Sequence, residues 1–260
     1  MKKILAVLLS TFLCVAVFTG CRTKSETTLE KIQQSGEMTF AMTGAYPPFN
    51  FIDDDGELAG FDIDIANALA EEMGVKAVPI TTAWDGIIGS LISKRIDTII
   101  GSMAITEKRL EQVNFTNPYY YDGAQFFVPT DSNVTSIEDL EDGTVGVVTG
   151  TTFHEALQGM ENIKDIMQFE SDVDNFMALE QERMDGLVTG KFVGLQAPKK
   201  YDVDIKPVGS MLYAEEIGIA IRKDDEDLLK AMNDALDAII ENGTYEEISN
   251  KWFGVNILNK

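Results

Sequence analysis

The strongest constraint on this chain is the way its hydrophobic segments alternate. From Thr39 onward, apolar runs of four to eight residues are separated by amphipathic segments of ten residues or more. This order is expected of α/β units arranged around mostly parallel sheets. The apolar runs predict strands at residues 38–43, 76–80, 96–102, 144–148, 166–169, 184–189 and 205–208. The clearest predicted helices lie at residues 61–73, 84–93, 173–182 and 226–241.

The length of the chain favours two lobes. With 260 residues, the chain is close to the size at which one hydrophobic core gives way to two. Residues 119–128 and 216–221 are predicted to be extended, and they could carry the chain from one lobe to the other and back. We therefore expect residues 37–122 plus 217–260 to form lobe 1 and residues 123–216 to form lobe 2. Each lobe would be a mostly parallel sheet flanked by helices.

The N-terminus has the features of an export signal. Lys2 and Lys3 precede an uncharged, mostly apolar run at residues 4–18. A helix that crosses a bilayer needs about 20 apolar residues, and this run has about 15, so a signal peptide at residues 1–20 is favoured over a membrane-anchor helix. The mature chain would then begin at residue 21.

Cys21 follows this apolar run directly. The segment Phe18-Thr19-Gly20-Cys21 resembles the lipobox of bacterial lipoproteins, with Phe18 in place of the usual leucine. The resemblance implies that Cys21 is lipid-modified and that residues 21–36 form a lipid-anchored tether and a first helix. The alternative is an unmodified thiol, because Cys14 would leave with the signal peptide and Cys21 would have no disulfide partner.

The charge of the chain excludes several classes of partner. Asp and Glu number 43 against 21 Lys and Arg, which gives a formal net charge of -22. Nucleic-acid binding relies on Lys and Arg that neutralise phosphates, so no nucleic-acid partner is expected, and anionic lipid surfaces are disfavoured for the same reason. Contact with a membrane would be through the lipid anchor only. One histidine and two cysteines make a His/Cys zinc site improbable, and neither a metal nor another cofactor is predicted.

Several motifs resemble those of a known protein family. Residues 60–70, GFDIDIANALA, are similar to the signature of the bacterial extracellular solute-binding proteins that serve polar amino acid ABC transporters. Further matches are Tyr46-Pro47-Pro48-Phe49, Trp84-Asp85-Gly86, Ile105-Thr106-Glu107-Lys108-Arg109, Met184-Asp185-Gly186, Asn242-Gly243-Thr244-Tyr245 and Lys251-Trp252-Phe253. The resemblance extends from Thr39 to the end of the chain. It implies the two-lobed periplasmic-binding-protein fold, in which two crossing strands join the lobes and a ligand binds in the cleft.

Arg109 is the main candidate for binding an anionic group. Thr106 is a plausible helix N-cap, which would place Arg109 in the first helical turn, where a cation opposes the helix dipole. A guanidinium offers paired donors that match a carboxylate, and the resemblance implies that Arg109 holds the α-carboxylate of the ligand. The alternative is a solvated surface arginine.

Thr151 and Thr152 are candidates on the opposite side of the cleft. They follow a predicted strand and open a predicted helix, whose N-terminus attracts anions. The resemblance implies that Thr152 contacts the same carboxylate as Arg109 from the second lobe. The alternative is that these threonines only cap the helix.

The resemblance adds four residues near the rest of the ligand. Tyr46 and Trp84 lie in loops after predicted strands and would flank the side chain of the ligand. Ser102 and Met103, at a strand end, would offer backbone and hydroxyl groups to it. Aromatic residues of an α/β domain are mostly core, so burial in the core is the alternative for Tyr46 and Trp84.

Two positions depart from the family pattern. In the family an aspartate usually holds the α-ammonium of the ligand, and the matching residue here is Gly190; a serine or threonine that assists it is matched by Ala104. None of the predicted pocket residues is acidic. A buried ammonium without a partner is costly, so we hypothesise a carboxylate ligand whose amine is absent, substituted or held by an acid elsewhere. The alternative is that another carboxylate of this acidic chain reaches the same ammonium.

These features together predict the substrate-binding component of an ABC importer for amino acids or amino-acid-like small carboxylates. Two lobes would close around the ligand, and a monomer would deliver it to a membrane permease. No catalytic residue is predicted. An exported, dehydratase-like enzyme on the same fold and a ligand sensor for a membrane receptor are the alternatives.

Overall fold

The computed structural model describes residues 26–259. The predicted signal peptide at residues 1–20 and the predicted lipid-modified Cys21 lie outside these residues. The described chain begins with a helix, α1 (Thr28–Ser35), which Thr27 caps by accepting a hydrogen bond from the backbone N–H of Glu30. Within residues 26–259, no helix combines the length and the apolar character needed to cross a bilayer.

Most strands of the described chain belong to one large sheet. The strands are β1 (Glu37–Met42), β2 (Ala45–Tyr46), β3 (Asn50–Ile52), β4 (Leu58–Ala59), β5 (Lys76–Thr81), β6 (Thr98–Ala104), β7 (Val113–Phe115), β8 (Tyr120–Pro129), β9 (Gly143–Val148), β10 (Ile163–Phe169), β11 (Gly186–Gly190) and β12 (Ile205–Arg222). The order in the large sheet is β10-β9-β11-β8-β12-β6-β1-β5, with β7 beside β12. Strands β2, β3 and β4 form a small second sheet.

Helices flank the sheet. After α1 they are α2 (Phe61–Glu72), α3 (Ile87–Ile92), α4 (Glu107–Leu110), α5 (Thr152–Leu157), α6 (Asp172–Glu180), α7 (Lys191–Tyr201), α8 (Glu226–Glu241) and α9 (Thr244–Phe253). The longest, α8, shows why these segments are helical. Its residues Leu228, Met232, Leu236 and Ile239 recur every three or four positions and are all buried, which gives one apolar face toward the sheet.

The two ends of the large sheet are parallel, and antiparallel strands join them. β1 pairs in parallel with β5 and β6, and β9 pairs in parallel with β10 and β11. β8 and β12 lie between these groups and pair antiparallel with each other. The predicted fold class, a two-lobed α/β fold with mostly parallel sheets and flanking helices, is confirmed.

The sequence predicted the position of most elements, with small shifts at their ends. For example, the strand predicted at 96–102 is β6 (Thr98–Ala104), and the helix predicted at 61–73 is α2. The strand predicted at 205–208 and the extended segment at 216–221 are two parts of one strand, β12. Its pairing with β8 shifts register between Val208 and Tyr213, and this irregular middle hides the continuity in the sequence.

Aromatic packing in the core lies directly beneath the cleft. The Phe49 ring stacks on Tyr120 at a centroid distance of 4.6 Å, and Phe61 stacks on Tyr119 at 6.0 Å. All four side chains are fully or almost fully buried. Tyr46 stacks on the same Phe49 at 5.6 Å, so the floor of the cleft rests on a rigid part of the core.

Candidate functional site

The described chain has a cleft between the two ends of the large sheet, and most of the predicted site residues line it. Six of the seven predicted residues are present in its wall: Tyr46, Trp84, Ser102, Arg109, Thr151 and Thr152. Met103 does not belong to this wall. Its side chain is 1% exposed and packs in a hydrophobic cluster with residues such as Ile87 and Leu91, so that side chain is part of the core.

Arg109 lies in the first turn of α4, as predicted from its N-cap residue. Thr106 is the N-cap of α4, and its hydroxyl accepts a hydrogen bond from the backbone N–H of Arg109 at 3.2 Å. The guanidinium lies 5.4 Å from the centre of the Trp84 ring and donates from Nη1 to the Ala104 carbonyl at 2.8 Å. Burial lowers the pKa of Arg109 from its ordinary value, while Glu215 opposes that effect. A half-buried guanidinium with one carbonyl partner retains donors for an anionic ligand.

The two threonines on the other side differ in their hydrogen bonds. Thr151 is the N-cap of α5, where it accepts from the backbone N–H of His154 at 3.2 Å and donates to the Val148 carbonyl at 2.7 Å. Thr152 donates its hydroxyl proton to Oε1 of Glu215 at 2.5 Å. A hydroxyl has one proton to donate, so the Thr152 hydroxyl can donate to a ligand only if it gives up its bond to Glu215.

Ser102 is held by the buried carboxylate of Asp62, which belongs to the family-like segment at residues 60–70. Asp62, in the first turn of α2, is fully buried and accepts hydrogen bonds from the Ser102 hydroxyl at 2.9 Å, Asn50 Nδ2 at 2.7 Å and the Tyr119 hydroxyl at 2.7 Å. The backbone N–H of Ser102 donates to the Tyr119 hydroxyl at 3.0 Å. Ser102 has a φ of 60°, a left-handed conformation that this network maintains.

Tyr46 and Trp84 both line the cleft. The indole N–H of Trp84 donates to the Gly150 carbonyl at 3.2 Å, which links the loop after β5 to the loop after β9. Tyr46 lies among acidic groups: burial raises its pKa well above the ordinary value, and Asp172, Asp122 and Glu215 raise it further.

The cleft contains acidic residues that are absent from the predicted site residues. Four carboxylates line the cleft: Asp122, Glu170, Asp172 and Glu215. Burial raises the pKa of Asp172 to about 7. Burial also raises the pKa of Glu215, against the hydrogen bond from Thr152 and the charge of Arg109. Asp122, Asp172 and Glu215 lie on β8, α6 and β12, which are distant in sequence and adjacent only in the fold, and Glu170 lies between β10 and α6.

One signal in the sequence could have identified the first of these acids. Asp122 stands within residues 119–128, where most of the other side chains are apolar or aromatic. Charged residues are rarely buried in such a strand unless they have a partner or a function. Asp172 and Glu215 gave no comparable signal, because an acid in a first helical turn or beside a strand end is ordinary. Within residues 26–259, no cluster of His, Cys, Asp and Glu could hold a metal ion.

The family model and the known proteins that this chain resembles all describe solute-binding proteins. Residues 38–255 match the family model described as bacterial extracellular solute-binding proteins, family 3. The chain is 34% identical over 250 residues to the L-cystine-binding protein TcyJ of Escherichia coli (strain K12), covering 94% of both chains. It is 34% identical over 223 residues to the L-arginine-binding protein of Pseudomonas aeruginosa, covering 82% of this chain and 86% of that protein.

A solved structure agrees with these relatives. An ancestral arginine-binding protein bound to arginine superimposes with a TM-score of 0.81 at 36% sequence identity, covering 84% of this chain and 99% of the other. The family model covers most of the chain, and the relatives match over nearly their whole length. This chain therefore belongs to the bacterial extracellular solute-binding proteins of family 3.

Proposed function

We propose that the protein is the substrate-binding component of an ABC importer and that its ligand is an amino acid or an amino-acid-like carboxylate. The observation that carries this proposal is Arg109, a half-buried residue that lines the cleft and whose guanidinium has one carbonyl partner and no ion pair among the described residues. A half-buried cation in a cleft favours an anionic ligand, and a planar carboxylate fits its paired donors. The names of the relatives, for cystine and arginine, support an amino acid as the class of ligand.

The ligand would be enclosed when two lobes close around it. We assign residues 37–122 plus 217–260 to lobe 1 and residues 123–216 to lobe 2, since β8 and β12 are the strands that run between the two ends of the sheet. A ligand that contacts both lobes stabilises the closed form by its greater affinity for that form, and the permease then recognises it. Both sides of the cleft come from one chain, which supports a monomer as the working unit.

A thermal-shift screen tests this function. The purified protein is heated with each of the common amino acids, L-cystine and a set of amine-free carboxylates. A ligand at 100 times its dissociation constant adds about 2.7 kcal/mol to the free energy of unfolding, so a true ligand raises the melting temperature by several degrees. If no carboxylate or amino acid raises it at millimolar concentration, the proposed ligand class is wrong.

We also propose that the chain is exported and anchored by a lipid on Cys21. The support is the lipobox resemblance of residues 18–21 and the extracellular character of the family. Cys21→Ser should leave an unprocessed precursor without lipid, detected by its mobility and by the loss of metabolic lipid labelling. Cys14→Ser is the matched control and should be processed and labelled normally. Lipid labelling of the Cys21→Ser protein would contradict the assignment.

An exported, dehydratase-like enzyme remains the second candidate, because one observation favours it. Asp122 and Asp172 line the cleft, and burial raises the pKa of each to about 7, a value that suits a general acid or base near neutral pH. The compound that stabilises the protein is incubated with it and followed by nuclear magnetic resonance. Unchanged compound supports binding alone, whereas conversion that Asp122→Asn or Asp172→Asn abolishes would favour the enzyme.

A further inference from the structure

Asp122 has an unsatisfied oxygen at the cleft. The residue is 9% exposed, lies on β8 and contributes to the wall that also contains Arg109. Its Oδ1 atom is buried and has no hydrogen-bond partner in the described chain. A buried polar atom without a partner costs free energy, so its retention indicates a partner that is not part of the chain.

Because Gly190 has no side chain, the space beside it is free for the carboxylate of Asp122. Gly190 ends β11, where it pairs with Ala124 of β8, two residues beyond Asp122. A Cβ atom added to Gly190 would lie 2.8 Å from Oδ2 of Asp122 and 2.5 Å from the hydroxyl oxygen of Tyr46. A carboxylate at residue 122 and a side chain at residue 190 would therefore compete for one volume. This chain has the carboxylate and lacks the side chain.

The charges around Asp122 favour a cation. Its cross-strand partner on β12 is Glu215, a like charge directly opposite, and like charges in that position repel. Asp172 also lines the cleft, and its Oδ1 is likewise buried without a partner. Lys191 opposes this negative potential but does not line the cleft. A ligand cation between these carboxylates would relieve their mutual repulsion.

We propose that Asp122 is the acceptor for the ammonium group of the ligand and that it replaces the acid missing at residue 190. The inference rests on the proposed function, because Arg109 must hold the carboxylate of the same ligand. Together the two residues select a compound that carries both a carboxylate and an amine. The ligand is then an ordinary amino acid, and the hypothesis of an absent or substituted amine is set aside.

Burial is consistent with this role. It raises the pKa of Asp122 to about 7, although the backbone N–H groups of Gly123 and Phe192 offset part of the effect and Glu215 adds to it. An ammonium beside the carboxylate would stabilise the charged form and lower that pKa again.

The experiment measures the affinity for pairs of compounds that differ only in the amine. The pairs are L-cystine with 3,3′-dithiodipropionate and L-arginine with 5-guanidinopentanoate, measured by isothermal titration on the purified wild-type protein. The wild type should bind the amino acid of at least one pair more tightly than its amine-free analogue. Asp122→Asn should weaken the amino acid about 30-fold or more and change the analogue less than about three-fold, because only the amino acid loses a buried charge partner.

Two further variants make the test specific. Asp131→Asn, an exposed aspartate just beyond the same strand, should bind both compounds as the wild type does. Gly190→Ala should also reduce the preference for the amino acid, because the added methyl group displaces the Asp122 carboxylate. Because the Gly190→Ala variant retains Asp122, it tests the inference even if Asp122→Asn does not fold.

The possible outcomes separate the two proposals. If the thermal-shift screen finds another amino acid, that amino acid and its amine-free analogue form the pair. A wild type that binds neither member of any pair and is stabilised by no compound in the screen overturns the proposed function and this inference together. A wild type that binds both members equally, or only the amine-free one, retains the carboxylate site and overturns the inference. Loss of the preference in Asp172→Asn, with the preference intact in Asp122→Asn, would assign the ammonium to Asp172 and also overturn it.

Discussion

At the scale of single residues, Arg109 should decide whether any ligand binds. Arg109→Ala removes the half-buried guanidinium of a residue that lines the cleft, together with its hydrogen bond to the Ala104 carbonyl. We expect the affinity for the ligand found in the screen to fall at least about 100-fold, since a desolvated ion pair with a bidentate carboxylate is lost. Isothermal titration measures this directly.

The control for this variant is Arg95→Ala. Arg95 is exposed and lies outside the cleft, so its removal should leave the affinity unchanged. Circular dichroism should show the same secondary structure for both variants. An Arg109→Ala protein that binds within a factor of about three of the wild type would contradict the carboxylate assignment.

Buried carboxylates predict a pH dependence of stability. Burial raises the pKa of Asp62 to about 6 and the pKa values of Asp122 and Asp172 to about 7, from an ordinary 3.8. Between these values the folded chain binds more protons than the unfolded chain, so the stabilising effect present at low pH is lost as the pH rises toward 7. The ligand-free protein should therefore melt at a lower temperature at about pH 8 than at about pH 5.

A double variant isolates the cleft contribution. The titratable groups that interact with Asp122 are Tyr46, Tyr120, Glu215 and Lys191, and the backbone N–H groups of Gly123 and Phe192 also act on it. None of these groups is changed in Asp122→Asn/Asp172→Asn. The double variant should lose less stability than the wild type over the same pH range, as measured by urea unfolding. An equal loss in both proteins would show that general charge repulsion, not these two acids, causes the dependence.

At the residue scale, local features of the site could be predicted from the sequence and tertiary contacts could not. Arg109 could be predicted because its cap, Thr106, and the surrounding motif are local. Asp122 has a local signal, a charge in an apolar strand, but its meeting with Asp172 and Glu215 could not be predicted, because it requires three distant elements to pack together. The same holds for the Thr152 hydroxyl, whose partner Glu215 is 63 residues away. Local patterns give caps and turns, whereas the partner of a buried polar group depends on tertiary packing.

At the scale of elements, one buried ion pair ties the start of α1 to the end of β12. Arg222 Nε lies 2.6 Å from Oδ2 of Asp225, and Nη1 donates to the carbonyls of Leu91 and Ile96. The Thr28 hydroxyl donates to Oδ1 of Asp225 at 2.8 Å. These bonds satisfy both charges in a place that water does not reach.

Asp225→Asn should destabilise the protein strongly. The substitution leaves the Arg222 charge buried without a carboxylate, which costs about 3–5 kcal/mol. The matched control is Asp234→Asn, which breaks the exposed Lys230–Asp234 pair on α8 and should cost less than about 1 kcal/mol. Urea unfolding gives both free energies. A change below about 1 kcal/mol in Asp225→Asn would mean that the pair does not hold these elements together.

Elements themselves could be predicted where their pattern is regular. The helices α2 and α8 follow from their apolar spacing, and β1, β5 and β9 follow from short apolar runs. The small sheet of β2, β3 and β4 was not predicted, because strands of two or three residues are too short to show a period. Helix α7 was also missed, since it contains Pro198 in its interior. The conformation of these segments depends on packing against the rest of the fold, which the local sequence does not show.

At the scale of the whole molecule, two exposed polar contacts join the two sides of the cleft. Trp84 donates to Gly150, and Lys108 Nζ lies 2.5 Å from Oε1 of Glu155. Both bonds run from the side of the cleft that carries Arg109 to the side that carries Thr152. Such contacts exist only when the cleft is closed, so they belong to the free-energy difference between the open and closed forms.

The Lys108–Glu155 pair allows this difference to be measured. The side chains are 72% and 52% exposed, so the attraction is screened by solvent and worth at most about 1 kcal/mol. Lys108→Ala and Glu155→Ala should each weaken ligand binding by a factor of about two to five, because closure becomes less favourable while the ligand contacts stay unchanged. The double variant should be no weaker than either single variant, because one interaction is removed only once.

Salt provides the control for this last prediction. Raising the ionic strength from about 0.1 M to about 1 M should weaken the wild type toward the affinity of the variants and leave the double variant less affected. The reason is that the Debye length falls from about 10 Å to about 3 Å, which weakens an exposed ion pair. Additive losses in the double variant would show that Lys108 and Glu155 act separately. An unchanged affinity in both single variants would mean that closure is driven by the ligand alone, through Arg109 on one side and the second lobe on the other.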